Sequence, residues 1–192
     1  MAHTRNYTMP LRRKREGKTN FKKRLKLLLS RKPRLVVRRS VKGTIVQIVQ
    51  YAEDGDKILV EAKSTELSKY GLKTVNGNVP TAYLTGLLIA KKAEKIKEEG
   101  IIVDFGVRYL TPKSRLFAVV KGAIDGGLSI NASDDFFPED ERVEGKLIEQ
   151  LAVKLKDDKE AYAKQFSEYV KQGIKPEEIS KVFAQVKQKI MG

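Results

Sequence analysis

The chain has 192 residues, with 39 Lys and Arg against 24 Asp and Glu, no cysteine and one histidine, His3. The missing cysteines exclude disulfides, thiolate nucleophiles and cysteine-ligated zinc, while an apolar fraction of 41% is enough for a core over most of the length. The net charge of +15 is concentrated: residues 1–42 hold sixteen bases and one acid, Glu16, and residues 43–192 hold twenty-three of each.

This charge distribution describes a neutral globular body with a polycationic arm. Such an arm repels itself unless a polyanion neutralises it, and nucleic acid is the first partner to consider. The basic start does not lead into the apolar stretch of a signal peptide, and the longest uncharged apolar segment, Ala82 to Ala90, falls well short of the ~20 residues a bilayer requires. The expectation is a soluble cytosolic protein with no membrane partner.

In chain order, residues 1–19 contain Pro10, Gly17 and the Arg12-Arg13-Lys14-Arg15 run, and are expected to be extended until bound. From Asn20, an N-cap residue, Phe21, Leu25, Leu28 and Leu29 recur at helical spacing, with Lys22, Lys23, Arg24 and Lys26 on the other faces; Pro33 closes this helix. Leu35 to Val37, Thr44 to Tyr51 and Lys57 to Lys63 read as three antiparallel strands, the last two joined by the hairpin signal Glu53-Asp54-Gly55-Asp56. A short helix near 65–70 is stopped by Gly71. After the turn Asn76-Gly77-Asn78, Pro80 opens a helix that the pattern extends to about Glu99, with Gly100 as terminator. Ile101 to Val103 and Leu116 to Val120 read as two further strands, and Asp125-Gly126-Gly127 as a short helix and its exit. Beyond Pro138, helices are expected near 139–156, 158–172 and 176–190. The resulting division is a basic arm and amphipathic helix (1–33), an α/β core (34–133) and a C-terminal helical extension (134–192).

The search for chemistry is mostly one of exclusion. The glycine spacings contain no dinucleotide fingerprint and no KH-type clamp; Gly122 and Gly127 have P-loop spacing, but Leu128 stands where the lysine belongs. Asp104, Asp125, Asp134 and Asp135 lie at the ends of predicted elements, where carboxylates either cap and close turns or hold the metals of a nuclease. The basic segment is the strong signal, because Lys and Arg neutralise phosphates and Arg also stacks on exposed bases. Tyr7 and Phe21 flank it, although Phe21 is spaced for packing. Arg34, Arg38, Arg39 and Lys42 continue the charge into the first strand, with Arg34 and Arg38 on one face and Arg39 on the other. This continuity describes an RNA-binding surface attached to a folded platform. A metal-dependent nuclease and a non-specific nucleic-acid-binding protein are the alternatives.

Four segments then occur in order: 9–19 (Met9-Pro10-Leu11 through Thr19), 32–40 (Lys32-Pro33-Arg34 through Ser40), 77–88 (Gly77-Asn78-Val79-Pro80 through Leu88) and 119–128 (Val119 through Ala123-Ile124-Asp125-Gly126-Gly127-Leu128). Together they resemble the 5S-rRNA-binding family of the large ribosomal subunit, universal number eighteen, in its archaeal and eukaryotic form. The chain's length and short C-terminus look archaeal. The resemblance implies an α/β fold of the RNase-H-like, translational-machinery-component type, with a mixed sheet, a basic N-terminal extension and C-terminal helices. It implies a structural role without catalysis, cofactor, metal or small-molecule substrate. The implied partners are 5S rRNA, the large-subunit rRNA and neighbouring proteins of the central protuberance. Carried onto this chain, it marks Arg12, Arg13, Lys14, Arg15, Lys18, Arg34, Arg38 and Arg39 as phosphate contacts. Lys22, Arg24 and Lys42 join them on charge, and Tyr7 and Tyr83 are aromatic candidates.

Overall fold

The structure, a computed structural model, describes residues 8–72, 77–94 and 100–192. Strands β1 (Arg34–Arg39), β2 (Thr44–Gln50), β3 (Lys57–Lys63) and β4 (Ile102–Asp104) form one mixed sheet in the order β3-β2-β1-β4. The pairs β1–β2 and β2–β3 are antiparallel, as the hairpin signals require, and β4 runs parallel to β1. Alternation along the strands gives the sheet two distinct faces. Leu35, Val37, Val46, Ile48 and Ala62 enter the main core, whereas Arg34, Val36, Arg38, Gln47 and Val49 point to the opposite side.

A parallel pair needs a crossover. Here the chain passes through a 3-10 turn (Ser64–Tyr70), capped by Gly71 at φ 95°, and then α3 (Val79–Lys92). The side chain of Asn78 accepts from the Thr81 amide at 2.9 Å and Pro80 occupies the first turn, so both start signals act as expected. Residues Pro80 to Ala90 are buried without exception, because α3 lies between other elements rather than on the surface. It ends at Lys92; residues 95–99, into which the sequence pattern extends it, lie outside the described residues, as does Asn76.

Leu116 to Val120 is not a strand. It belongs to α4 (Arg115–Asp125), with Ser114 at the N-cap position. A short apolar run buried on all sides carries no periodicity to separate strand from helix. The glycines of α3 and α4 explain how the two helices meet. A Cβ on Gly86 would lie 2.1 Å from the Val119 carbonyl oxygen, and one on Gly122 would lie 2.1 Å from that of Tyr83. Backbone therefore crosses backbone, and Gly122, the first glycine of the P-loop-like spacing, serves helix packing.

The three C-terminal helices each come in two pieces. They are α5 (Asp140–Glu144) and α6 (Lys146–Lys154), α7 (Lys159–Gln165) and α8 (Ser167–Lys171), and a 3-10 turn (Pro176–Glu178) before α9 (Ile179–Met191). Gly145, at φ 89°, divides the first pair, where a Cβ would meet Ile179 at 2.5 Å. Phe183, Val186 and Ile190 of α9 join the main core, while Ala152, Phe166, Tyr169 and Ile179 form a smaller one. Glu149 Oε1 links the two layers, accepting from the Ser180 amide at 2.7 Å.

The arm is more structured from residue 8 than its composition suggests. Arg12–Arg15 form a helical turn, α1, followed by Gly17 at φ 63°. Helix α2 (Phe21–Leu28) is capped by Asn20, whose side chain accepts from the Lys23 amide at 3.1 Å. The apolar stripe of α2 is only partly covered: Leu25 and Leu29 are 63% and 74% exposed, while Phe21 and Leu28 are half-buried. Phe21, with Arg24 and Leu27, lines the space above the sheet. A bidentate pair from Arg24 to Asp56, at 2.9 and 2.8 Å, holds the helix in this rotation.

Candidate nucleic-acid interface

The arm and the outer face of the sheet enclose an open cleft of about 940 Å³. Its floor is a chain of alternating charges. Asp56 joins Arg24 of α2 to Arg34 of β1, with Arg34 Nη2 to Asp56 Oδ2 at 2.8 Å. Asp104 in turn joins Arg34, at 3.3 Å, to Arg38, at 3.8 Å. Arg34 is the innermost member at 1% exposure, and its Nε has no hydrogen-bond partner. Arg24, its first hydrogen-bonding partner, and Arg34 hold the Asp56 carboxyl below the ordinary carboxylate range against the opposing effect of burial. The two acids thus fasten the arm and order two arginines. One residue expected at the phosphate surface is corrected by this geometry: Arg34 is sealed inside, whereas Arg24 is engaged in the bidentate pair with 32% of its side chain exposed.

Tyr83 is a second correction. It is 2% exposed, donates to Asp125 Oδ2 at 2.7 Å and carries Lys187 Nζ 5.5 Å from its ring centroid. Burial first, and Asp125 second, raise its phenol pKa. It ties α3 to α4 and α9 and has no surface for a base. Tyr7 lies outside the described residues.

The remaining sequence-marked cations are exposed: Arg12, Arg13, Lys14, Arg15, Lys18, Lys22, Arg39 and Lys42. Glu16 contacts Arg12 at 3.5 Å and Lys18 at 2.8 Å, and Arg13 Nε donates to Thr19 at 2.8 Å. Arg38 is exposed as well, with 47% of its side chain open and Nη1 donating to the Asp104 carbonyl at 3.1 Å.

Parallel pairing of β1 with β4 brings a further segment to the same end of the sheet, because the loop leaving Asp104 emerges beside Arg38. Arg108 on this loop was not marked by the sequence reading. It lies close enough to lower the Arg38 pKa together with Arg34 and Arg13, after burial and against Asp104. Arg115, at the start of α4, is likewise lowered by burial and then by Arg39. These like charges come from four places in the chain, so only the register of the sheet reveals the cluster. Cations held this close repel one another, and the arrangement is favourable when a polyanion lies across them.

The carboxylates do not assemble comparably. Asp104 Oδ1 accepts from the Gly106 amide at 2.7 Å and Oδ2 faces the arginines, while Asp125 is bonded to Tyr83. Among the described residues no three His, Cys, Asp or Glu form a group able to hold a metal ion. No helix among them is long and apolar enough to cross a membrane.

An α/β body with a mixed sheet and a cationic end of this kind belongs to the class of proteins suited to a polyanionic partner. The family described as ribosomal large subunit proteins 60S L5 and 50S L18 matches residues 5–102, just over half of the chain, and the chain belongs to that family. It is therefore a large-subunit ribosomal protein, and the matched span covers the described arm, Arg24, Arg34, Arg38 and Asp56 of the charges beneath it, the first three strands and α3.

Proposed function

We propose that the protein binds 5S rRNA and attaches it to the large rRNA in the central protuberance, among the neighbouring proteins of that region. The role is structural. The observation that carries this reading is the gathering of the arm, Arg38, Arg39 and Arg108 at one end of an otherwise neutral body. Each phosphate neutralised there releases condensed counterions, a gain in entropy that needs no base sequence. Discrimination between RNAs then comes from shape: α2 and the sheet hold the cations in a fixed arrangement that only a matching backbone path satisfies. The C-terminal helical extension leaves a near-neutral surface suited to protein neighbours rather than to phosphate.

A competition experiment tests the proposal. 5S rRNA should displace duplex DNA of equal length from the purified protein, and equal affinities would favour non-specific compaction instead. RNA incubated with the protein and magnesium should remain intact; cleavage would favour the nuclease reading.

A further inference from the structure

We infer that the loop leaving β4, residues 106–110, is a second RNA-contacting element, in which Tyr109 stacks on an unpaired base while Arg108 meets the adjoining phosphate. Tyr109 is 93% exposed, the most exposed large apolar side chain among the described residues. A ring this open offers its whole face to a stacking partner.

The base of the loop is held firmly. Phe105 is buried and packs on Phe117 at 5.3 Å between ring centroids. Gly106, at φ 68°, receives three contacts: its amide donates to Asp104 Oδ1 at 2.7 Å, its carbonyl accepts from Lys23 Nζ at 3.3 Å, and the Arg38 guanidinium lies 3.1 Å from where a Cβ would stand. The far end is fixed where the Lys113 amide donates to the Phe136 carbonyl at 2.9 Å. The segment therefore presents its ring from two anchored ends. One of those anchors, Lys23, comes from the helix of the basic arm.

The charge around the loop selects the partner. Val107 and Arg108 line the same cleft as Arg13 and Lys18, and Arg108 is exposed beside Arg38. An exposed aromatic ring next in the chain to a cation of this cleft fits a ligand that is both flat and anionic, and a splayed-out nucleotide has both properties. A protein neighbour with an apolar patch would be a poor match for three converging arginines.

This inference rests on the proposed rRNA binding and is tested so that the two fail separately. Binding of 5S rRNA and of large-subunit rRNA would be measured for the wild type, Tyr109→Ala, Tyr109→Phe and Arg108→Ala, and for a variant with Arg12, Arg13, Lys14 and Arg15 changed to Gln. Loss of a stack should weaken binding to one of the two RNAs on the order of 10- to 100-fold in Tyr109→Ala, with an unchanged salt slope. Tyr109→Phe should stay near wild type, and Arg108→Ala should lower the slope by about one phosphate contact. The RNA affected identifies which of the two the loop meets. Wild-type binding of both RNAs by Tyr109→Ala, or equal loss in Tyr109→Phe, would overturn the stacking inference. If the arm variant then still binds weakly, rRNA binding through the arm stands without the loop; if it too binds both RNAs like wild type, the functional reading itself has failed.

Discussion

Arg34 and the exposed arginines of the arm carry the same charge but act in opposite ways. Arg34 is sealed at 1% exposure between Asp56 and Asp104, so removing it leaves two carboxylates without their shared cation. Arg34→Ala should cost about 3 kcal/mol, read as a lower urea midpoint, and should leave the salt dependence of RNA binding unchanged. Asp56 makes a pH-dependent contribution. Its carboxyl titrates below the ordinary value of 3.8, so its stabilising effect is present above that value and is lost as pH falls through the depressed one. Asp56→Asn should be less stable than wild type at neutral pH, and thermal melts of the two should converge in acid. A gap that persists at low pH would mean that the contact is steric. The sequence marked Arg34 as a surface cation because parity places it on the same face as Arg38. Parity does not reveal that Asp56 and Asp104, 22 and 70 positions along the chain, would enclose it.

At the scale of elements, the local signals were reliable where a capping or turn residue set the boundary. Asn20, Gly71 and the Asn78–Pro80 start all act as their chemistry suggests. The misreading of Leu116 to Val120 arose where burial on every side removed the pattern, and the C-terminal helices broke at positions decided by packing, such as Gly145 against Ile179. Helix α2 shows the related limit that an apolar stripe does not say which of its residues dock: Phe21 faces the sheet beside the Arg24–Asp56 pair, while Leu25 and Leu29 stay exposed. The crossing of α3 and α4 yields a sharp prediction. Gly122→Ala would push a methyl into the Tyr83 carbonyl, and overpacking of this kind costs about 1–3 kcal/mol or more. The expected result is a fall in melting temperature of roughly 2–4 °C for each kcal/mol lost. A melting temperature equal to wild type would mean that the helices can separate without cost.

On the scale of the whole molecule, charge and fold divide the work. The body from residue 43 onward is electrically balanced, which lets it pack among neighbours without drawing phosphate over its whole surface. The partner class was legible from the first 42 residues, because one acid among sixteen bases allows few other readings. The site's extent was not, since Arg108 and Arg115 reach it only through the parallel pairing of β4 with β1 and the placement of α4. The most direct test of the account is the slope of log affinity for 5S rRNA against log salt concentration, measured for the wild type and for the variant with Arg12, Arg13, Lys14 and Arg15 all changed to Gln. Each lost phosphate contact should lower the slope by about 0.7 to 0.9, to a total near 3, with the melting temperature unchanged because these side chains are exposed. An affinity and slope equal to those of the wild type would contradict the claim that the basic arm binds the RNA.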